Sequence, residues 1–257
     1  AAPSAVLRYA TERSVQALDP HKSATGYEME IMFLIFDRLF HRTPEGELVP
    51  GLAESWTVAD DGLAIDLALR RGVVFQDGTP FDAEAVRANV ERMKTMEDST
   101  IADLDVVERV EIIDDHRVRL VLAHPQSELP LRLADGAGTM VSPASFDDPN
   151  MDRSPVGAGM FRVESFAPGA TVSLRSWDGY WDPDAVRVAG VDLRMIADPT
   201  TRLNALQSGE LDAAKFSATE TDQLEQLDMT ISSRPVVPTW ILAVNRTRNP
   251  AMRDPRV

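Results

Sequence analysis

Between Pro44 and Leu122 the apolar residues of this chain recur at every second position, and that period constrains the fold more than any other feature. Ile65, Leu67 and Leu69 fall on one face of a strand, and Val118, Leu120 and Leu122 on one face of another. Turn signals separate these segments at Glu45-Gly46, Asp61-Gly62, Asp77-Gly78 and Asp114-Asp115, which predicts strands paired as an antiparallel meander. A helix interrupts the strands at Asp82, a residue type that caps helix starts, with Val86, Val90 and Met93 on its buried side.

Outside this block the pattern is mixed. Val6 to Ala10 reads as a short strand, followed by the turn pair Asp19-Pro20 and a polar loop from His21 to Gly26. Thr25 and Glu28 have capping-box spacing, and Tyr27, Ile31, Leu34, Ile35 and Leu39 then repeat at helical intervals. After Pro155, strands are predicted at Met160 to Ser165, Thr171 to Arg175 and Val191 to Ile196. Asp198 as N-cap, Pro199 at the first helical position and Gly209 past the end bracket a helix. Ser217 and Glu220 form a second capping box opening a helix through Leu227, and Thr239 to Val244 reads as an apolar strand. The class is therefore α/β with an antiparallel β-rich block inserted in it.

Charge and composition remove several functions. With 26 Lys and Arg against 41 Asp and Glu, the net charge of −15 repels a phosphate backbone, so no nucleic acid is expected as partner. The absence of Cys excludes disulfides, thiolate metal sites and cysteine nucleophiles. No apolar run reaches the roughly 18 residues that a membrane helix needs. His21, His41, His116 and His124 stand apart, without metal-ligand spacing or a nucleophile motif, so no metal, cofactor or catalytic residue is expected and the chain is read as a non-enzyme. Gly157-x-Gly159 lacks the third glycine and the helix start of a dinucleotide loop. At the ends, Ala1-Ala2-Pro3-Ser4-Ala5 has the small-residue character left by signal-peptide removal, and Asp254-Pro255 is a helix-start signal with no helix behind it. The expectation is a fragment whose natural polypeptide continues.

Seven segments, in order, carry a resemblance. They are Leu18-Asp19-Pro20-His21-Lys22; Leu52-Ala53-Glu54-Ser55-Trp56 with Asp61-Gly62; Leu69 to Phe81, which contains Arg70-Arg71-Gly72 and Gln76-Asp77-Gly78; and Pro155-Val156-Gly157-Ala158-Gly159-Met160-Phe161. Asp178-Gly179-Tyr180-Trp181, the stretch from Asp198-Pro199-Thr200-Thr201-Arg202 to Gly209-Glu210-Leu211-Asp212, and Ala243-Val244-Asn245 complete the set. Together they resemble the family 5 extracellular solute-binding proteins of ABC importers, the group for oligopeptides, dipeptides and nickel chelates. Most of these residues are read as scaffold: glycines at tight turns or close approaches, and aromatic fillers.

The resemblance implies a periplasmic-binding-protein-like type II lobe, one of two that close on a solute by hinge motion. Residues 1–44 and 156–243 would form its core, 45–155 an inserted β-rich subdomain, and 244–257 the crossover and the start of a truncated second lobe. It also implies where a solute lies. In peptide-binding relatives the stretch matching Ser23, Ala24, Thr25, Gly26 and Tyr27 runs along the ligand backbone. A second candidate is the loop Asp135 to Met140 with Gly138 and Thr139, and a third is Asn245 at the crossing. Similar nickel-chelate binders carry an arginine in that second loop; Gly136, Ala137 and Gly138 stand here instead, which argues against a chelator carboxylate and leaves room for a bulkier guest. The partners implied are a peptide or similar small solute and the membrane permease of an importer. The chain is expected to be a monomer at the periplasmic or outer face of the bacterial cytoplasmic membrane, with membrane attachment only through a lipid anchor outside it. The alternatives are a metal-chelate binder of the same family and the solute-sensing module of a regulator.

Overall fold

The strand β1 (Val6–Thr11) uses both of its faces, with Leu7 and Tyr9 packed into one apolar cluster and Ala10 into another. A strand apolar on both sides belongs in the interior of a sheet, and β1 lies inside a five-stranded one. The computed structural model describes residues 3–22, 26–217, 224 and 230–232. The chain divides into two units, 1–216 and 217–257, and every element below belongs to the first. After β1 come α1 (Gly26–Ile35), a small hairpin of β2 (Phe40–Arg42) and β3 (Leu48–Pro50), then β4 (Ala53–Val58) and β5 (Ala64–Leu69). Helix α2 (Ala83–Thr95), β6 (Val107–Asp114), β7 (Arg117–Leu122) and the single turn α3 (Leu129–Arg132) follow. The last part runs through β8 (Phe161–Ala167), β9 (Thr171–Ser176), β10 (Gly190–Met195), α4 (Pro199–Gln207) and the two-residue β11 (Ala213–Ala214).

Strands β4 to β7 form a four-stranded antiparallel sheet in the order β4-β5-β7-β6. The period-two residues sit as their spacing requires: Ile65, Leu67, Leu69, Val118, Leu120 and Leu122 are all at most 3% exposed and share one core with Val86, Val90 and Met93 of α2. The order departs from the expected meander. Helix α2 carries the chain across the sheet to its far edge, so β6 is laid down first and the hairpin through Asp114-Asp115 returns β7 beside β5. The predicted cap is present, with the Asp82 carboxylate accepting from the Ala85 amide at 2.9 Å.

The second sheet has the order β11-β1-β10-β9-β8, with β1 parallel to β10 and β11 and the remaining neighbours antiparallel. Helix α1 covers one face through Ile31, Met32 and Ile35, packed with Val172, Leu174, Val191 and Leu193. Helix α4 covers the other, its Ala205 packed with Ala10 and Leu211. It starts as predicted, with the Asp198 carboxylate accepting from the Thr201 amide at 2.7 Å. Helix α1 ends at Ile35, so Leu39, predicted on its face, lies beyond it and packs with the four-stranded sheet. The termination is local: Asp37 turns its carboxylate onto the Arg38 amide at 2.8 Å, a side-chain bond that competes with helix continuation. The predicted helix from Ser217 to Leu227 and the strand from Thr239 to Val244 lie largely or wholly outside the described residues.

The two sheets meet where α1 ends. Asp37 is 3% exposed and its carboxylate also accepts from Trp181 Nε1 at 2.6 Å, Tyr180 Oη at 3.1 Å and His41 Nε2 at 2.5 Å. Burial opposes the charge, but the His41 contact leads a set of donors that hold its pKa below the usual carboxylate value. The Ile35 carbonyl accepts from the Gly159 amide at 2.9 Å and from Gln76 Nε2 at 3.3 Å. A Cβ on Gly157 would stand 2.2 Å from that same carbonyl oxygen and 2.7 Å from the Phe36 ring, both of which are fixed by the fold. Gly157→Ala is therefore expected to destabilise the protein by about 1–3 kcal/mol or more. Gly72→Ala, at φ +73 with open space around the added Cβ, is expected to cost only about 1–2 kcal/mol for its left-handed backbone. Urea unfolding of the two variants beside the wild type checks the order, and equal losses would remove the steric explanation.

Candidate functional site

Neighbouring parallel strands β1 and β10 send their chains to opposite faces of the sheet, β1 towards α1 and β10 into α4. Such a reversal leaves a crevice outside the carboxyl ends of the strands, the place where open α/β sheets bind ligands. Everything that follows β1 and β10 emerges there. The Ile196 amide donates to the Thr11 carbonyl at 2.9 Å and so continues the pairing past the ends of both strands. Arg202, 1% exposed, reaches back from α4 and donates to the carbonyls of Ile196 and Ala197 at 2.6 and 2.9 Å, with Glu12 3.8 Å away. The rim thus has its strand-end carbonyls satisfied by a buried cation.

The segment Leu18-Asp19-Pro20-His21-Lys22 lies further along the chain that leaves β1 and is held through its own side chains by α2 and the loops around it. Arg92 of α2 donates to both oxygens of Asp19, at 3.1 and 2.6 Å, and its Nη1 lies 2.6 Å from His21 Nδ1. A guanidinium can only donate, so Nδ1 accepts and the imidazole is the neutral tautomer with its proton on Nε2. That nitrogen lies 3.3 Å from the Thr139 carbonyl. Burial and the Arg92 charge push the His21 pKa down to about 4. Burial works against the Asp19 carboxylate as well, but the Arg92 hydrogen bonds and charge outweigh it and lower its pKa. Lys22 then pairs with Asp152 at 3.2 Å and Asp98 at 3.5 Å.

Of the residues expected to touch a solute, Gly26 and Tyr27 form the first turn of α1. Ser23, Ala24, Thr25 and Asn245 lie outside the described residues. Gly138 and Thr139 are buried; the Leu39 amide donates to the Gly138 carbonyl at 3.0 Å, and Arg38 and Thr139 form an antiparallel bridge. The space a side chain would take at Gly138 is filled, since a Cβ would lie 1.8 Å from the Leu133 carbonyl oxygen. At that position glycine serves the packing of the loop. At Gly136 a Cβ would stand 3.1 Å from the buried Ile101 side chain and 3.7 Å from the Met29 sulfur. This brings the second loop beside Met29 in the first turn of α1. Sequence reasoning assigned His21 to the loop signature but did not find Arg92, whose partner Asp19 is 73 residues away. Among the described residues no group of three or more His, Cys, Asp or Glu is placed to hold a metal ion, and no helix is long and apolar enough to cross a membrane.

A parallel-edged sheet covered on both faces, with an antiparallel layer attached, is the architecture of a periplasmic-binding-protein lobe of type II. The chain belongs to the bacterial extracellular solute-binding proteins, family 5, whose middle-region profile matches residues 47–257. It is 32% identical over 197 residues to the glutathione-binding protein GsiB of Escherichia coli strain K12, a match covering 75% of this chain and 38% of that protein. This chain thus spans about two fifths of the length of the curated relatives it matches. Among solved structures it is similar to the ABC transporter-associated periplasmic binding protein DppA of Helicobacter pylori in complex with the peptide STSA. The TM-score is 0.78 and the identity 25%, over 88% of this chain and 50% of that one. NikZ of Campylobacter jejuni in complex with Ni(L-His) shares the fold, with a TM-score of 0.80 and 24% identity over 88% of this chain and 46% of that one.

The neutral buried imidazole generates a pH dependence. In the unfolded chain His21 takes up a proton near pH 6.5, while in the folded state it stays neutral down to about pH 4. The unfolded state therefore binds more protons between those values, and stability present above pH 6.5 is lost as pH falls towards 4. The depression amounts to roughly 3 kcal/mol. His21→Gln, which cannot take up the proton, is expected to show a shallower fall in unfolding free energy between pH 7 and pH 4.5. Parallel slopes for the variant and the wild type in urea titrations at the two pH values would refute the assignment.

Proposed function

We propose that this chain is the first lobe of an extracytoplasmic solute-binding component of an ABC import system, and that it binds without catalysing a reaction. The observation that carries the reading is the family 5 fold, with the signature segment Asp19–Lys22 clamped by Arg92 and joined through His21 to the loop that carries Thr139. The solute would lie along Ser23, Ala24, Thr25, Gly26 and Tyr27, with the loop that carries Gly138 and Thr139 beside it and Asn245 at the crossing to a second lobe. Residues 1–44 and 156–243 would be the lobe core, 45–155 the inserted subdomain and 244–257 the crossover. Leu39 and Phe40 already pack with the four-stranded sheet, so the passage between the layers begins just ahead of the first boundary.

For the ligand, a peptide or a peptide-like solute is the favoured class. It is supported by the likeness to a glutathione-binding protein and to a peptide-bound periplasmic protein. The partners would be that solute and the membrane permease of the importer. The protein would act as a monomer at the periplasmic or outer face of the bacterial cytoplasmic membrane, attached, where it is attached, by a lipid anchor outside this chain.

Titration of the complete protein with glutathione, the peptide Ser-Thr-Ser-Ala or nickel–histidine separates these classes. Glutathione or the peptide is expected to give a saturable rise in Tm of about 5 °C or more at a hundredfold excess over Kd, with the solute recovered unchanged. The residues 1–257 alone are expected to bind at least tenfold more weakly, because enclosure between two surfaces supplies much of the contact and desolvation. Absence of a shift with all three would overturn the solute class, and consumption of the solute would overturn the non-catalytic reading.

A further inference from the structure

Arg92 is 12% exposed at its side chain and lies on α2, in the β-rich layer, yet most of its polar contacts go to the loop that leaves β1. One fork of nitrogens makes three contacts at once. Nη2 donates to Asp19 Oδ2 at 2.6 Å, and Nη1 serves both Asp19 Oδ1 at 3.1 Å and His21 Nδ1 at 2.6 Å. The ring of Phe146 lies under the guanidinium at 5.1 Å. His21 then passes the constraint on, through Nε2 to the Thr139 carbonyl at 3.3 Å and through its own carbonyl to the Thr100 amide at 3.0 Å. Ile101, the next residue, packs against the backbone at Gly136. The contacts close a ring: from Arg92 to His21, to Thr139 and Gly136 in the second loop, to Ile101 and Thr100, and back to His21. Asp19 is fully buried. The cost of burying its charge is offset chiefly by the paired guanidinium, with the His21 amide donating to Oδ1 at 3.1 Å, so the geometry is held tightly.

We propose that Arg92 is a positioning residue for solute binding, fixing the loop that leads into Ser23–Tyr27 and the loop Asp135–Met140 in one relative placement. The proposal rests on the assignment of those two loops to the solute site. Arg92 itself touches no solute. Its effect is to remove the ordering of two loops from the cost of association, the general basis of preorganised binding. Lysine is a poor replacement, because its one tetrahedral nitrogen must reach from a single point the acceptors that two nitrogens of the planar guanidinium fork meet separately.

The test uses the complete protein and its Arg92→Lys and His21→Phe variants. Amide hydrogen exchange is followed at residues 19–22, at 135–140 and, as a reference, in β8 and β9, with calorimetric titration of glutathione and of Ser-Thr-Ser-Ala. Arg92→Lys is expected to accelerate exchange about tenfold or more in both loops, to leave β8 and β9 unchanged, and to raise Kd about tenfold or more. In His21→Phe the Asp19–Arg92 pair is intact, so exchange rises at 135–140 and holds at 19–22. Faster exchange at 19–22 in Arg92→Lys with 135–140 and Kd at their wild-type values would overturn the coupling, leaving a merely structural ion pair. If Arg92→Lys fails to fold, the His21→Phe pattern decides alone, and uniform loosening of all three segments counts against the proposal. A wild-type protein that binds neither probe overturns the site assignment, while exchange at 135–140 still decides whether Arg92 couples the loops.

Discussion

The carboxylate of Asp37 is buried at the point where α1 stops, and the attachment of the β-rich layer to the five-stranded sheet depends on it. A carboxylate out of water is stable only if its lone pairs are filled by donors. Those donors come from far along the chain: His41 beside the small hairpin, and Tyr180 and Trp181 after β9. Trp181 in turn carries the Arg70 guanidinium over its ring at 3.8 Å, which extends the contact to the end of β5. One charge therefore ties together a helix end, a hairpin and two sheet layers. The neighbouring Ile35 carbonyl repeats the arrangement with neutral groups, accepting from Gly159 and Gln76, and it can do so only because glycine at 157 and 159 lets the backbones approach.

Two kinds of ion pair coexist in the molecule, and their weights differ. Pairs such as Asp66–Arg119 across β5 and β7, or Arg109–Glu111 along β6, are solvated on both sides and contribute little beyond solubility. The pair of Asp19 and Arg92 is nearly dry, two-pronged and extended by an imidazole. Its role is specificity of conformation more than net stability, since a buried pair gains back little more than the solvation it loses. A hydrophobic pair of similar volume could stabilise the same junction. It would not fix the direction in which a backbone loop leaves a strand, because apolar contact has no preferred orientation.

What the sequence disclosed follows the range of each interaction. Features set by neighbours within about one turn were legible: the alternation in β5 and β7, the Asp82 and Asp198 caps, and the glycine past the end of α4. Sheet order was not, because the spacing of β5, α2 and β6 does not say at which edge α2 delivers the chain. The end of α1 was overrun by one turn because Leu39 keeps the helical interval while Asp37 breaks the helix, and the tertiary partners that draw Asp37 inward come up to 144 residues later. The site shows the same division. Resemblance pointed to the loop around Ser23–Tyr27, and Asp-Pro-His-Lys was recognisable as a signature, but a signature does not state its reason. The reason is Arg92, an ordinary helix residue by every local measure. Gly138 was read as open space, whereas the Leu133 carbonyl occupies the position a side chain would take.

These facts bear on what one lobe can contribute to binding. The strand-end carbonyls of Ile196 and Ala197 are satisfied by Arg202, and the loop Gly136–Gly138 is built of small residues. A surface of that kind recognises the main chain of an extended solute better than its charged ends, because amide and hydroxyl groups discriminate by direction and not by long-range attraction. On the reading proposed above, recognition of charged termini would fall to groups elsewhere in the complete protein. The acidic total of −15 works in the same direction, since it gives anionic solutes no electrostatic assistance on approach. On the reading proposed above, what the chain would supply is shape held in advance, because Asp19–Lys22 and the loop Asp135–Met140 are braced against each other through His21 and Thr139.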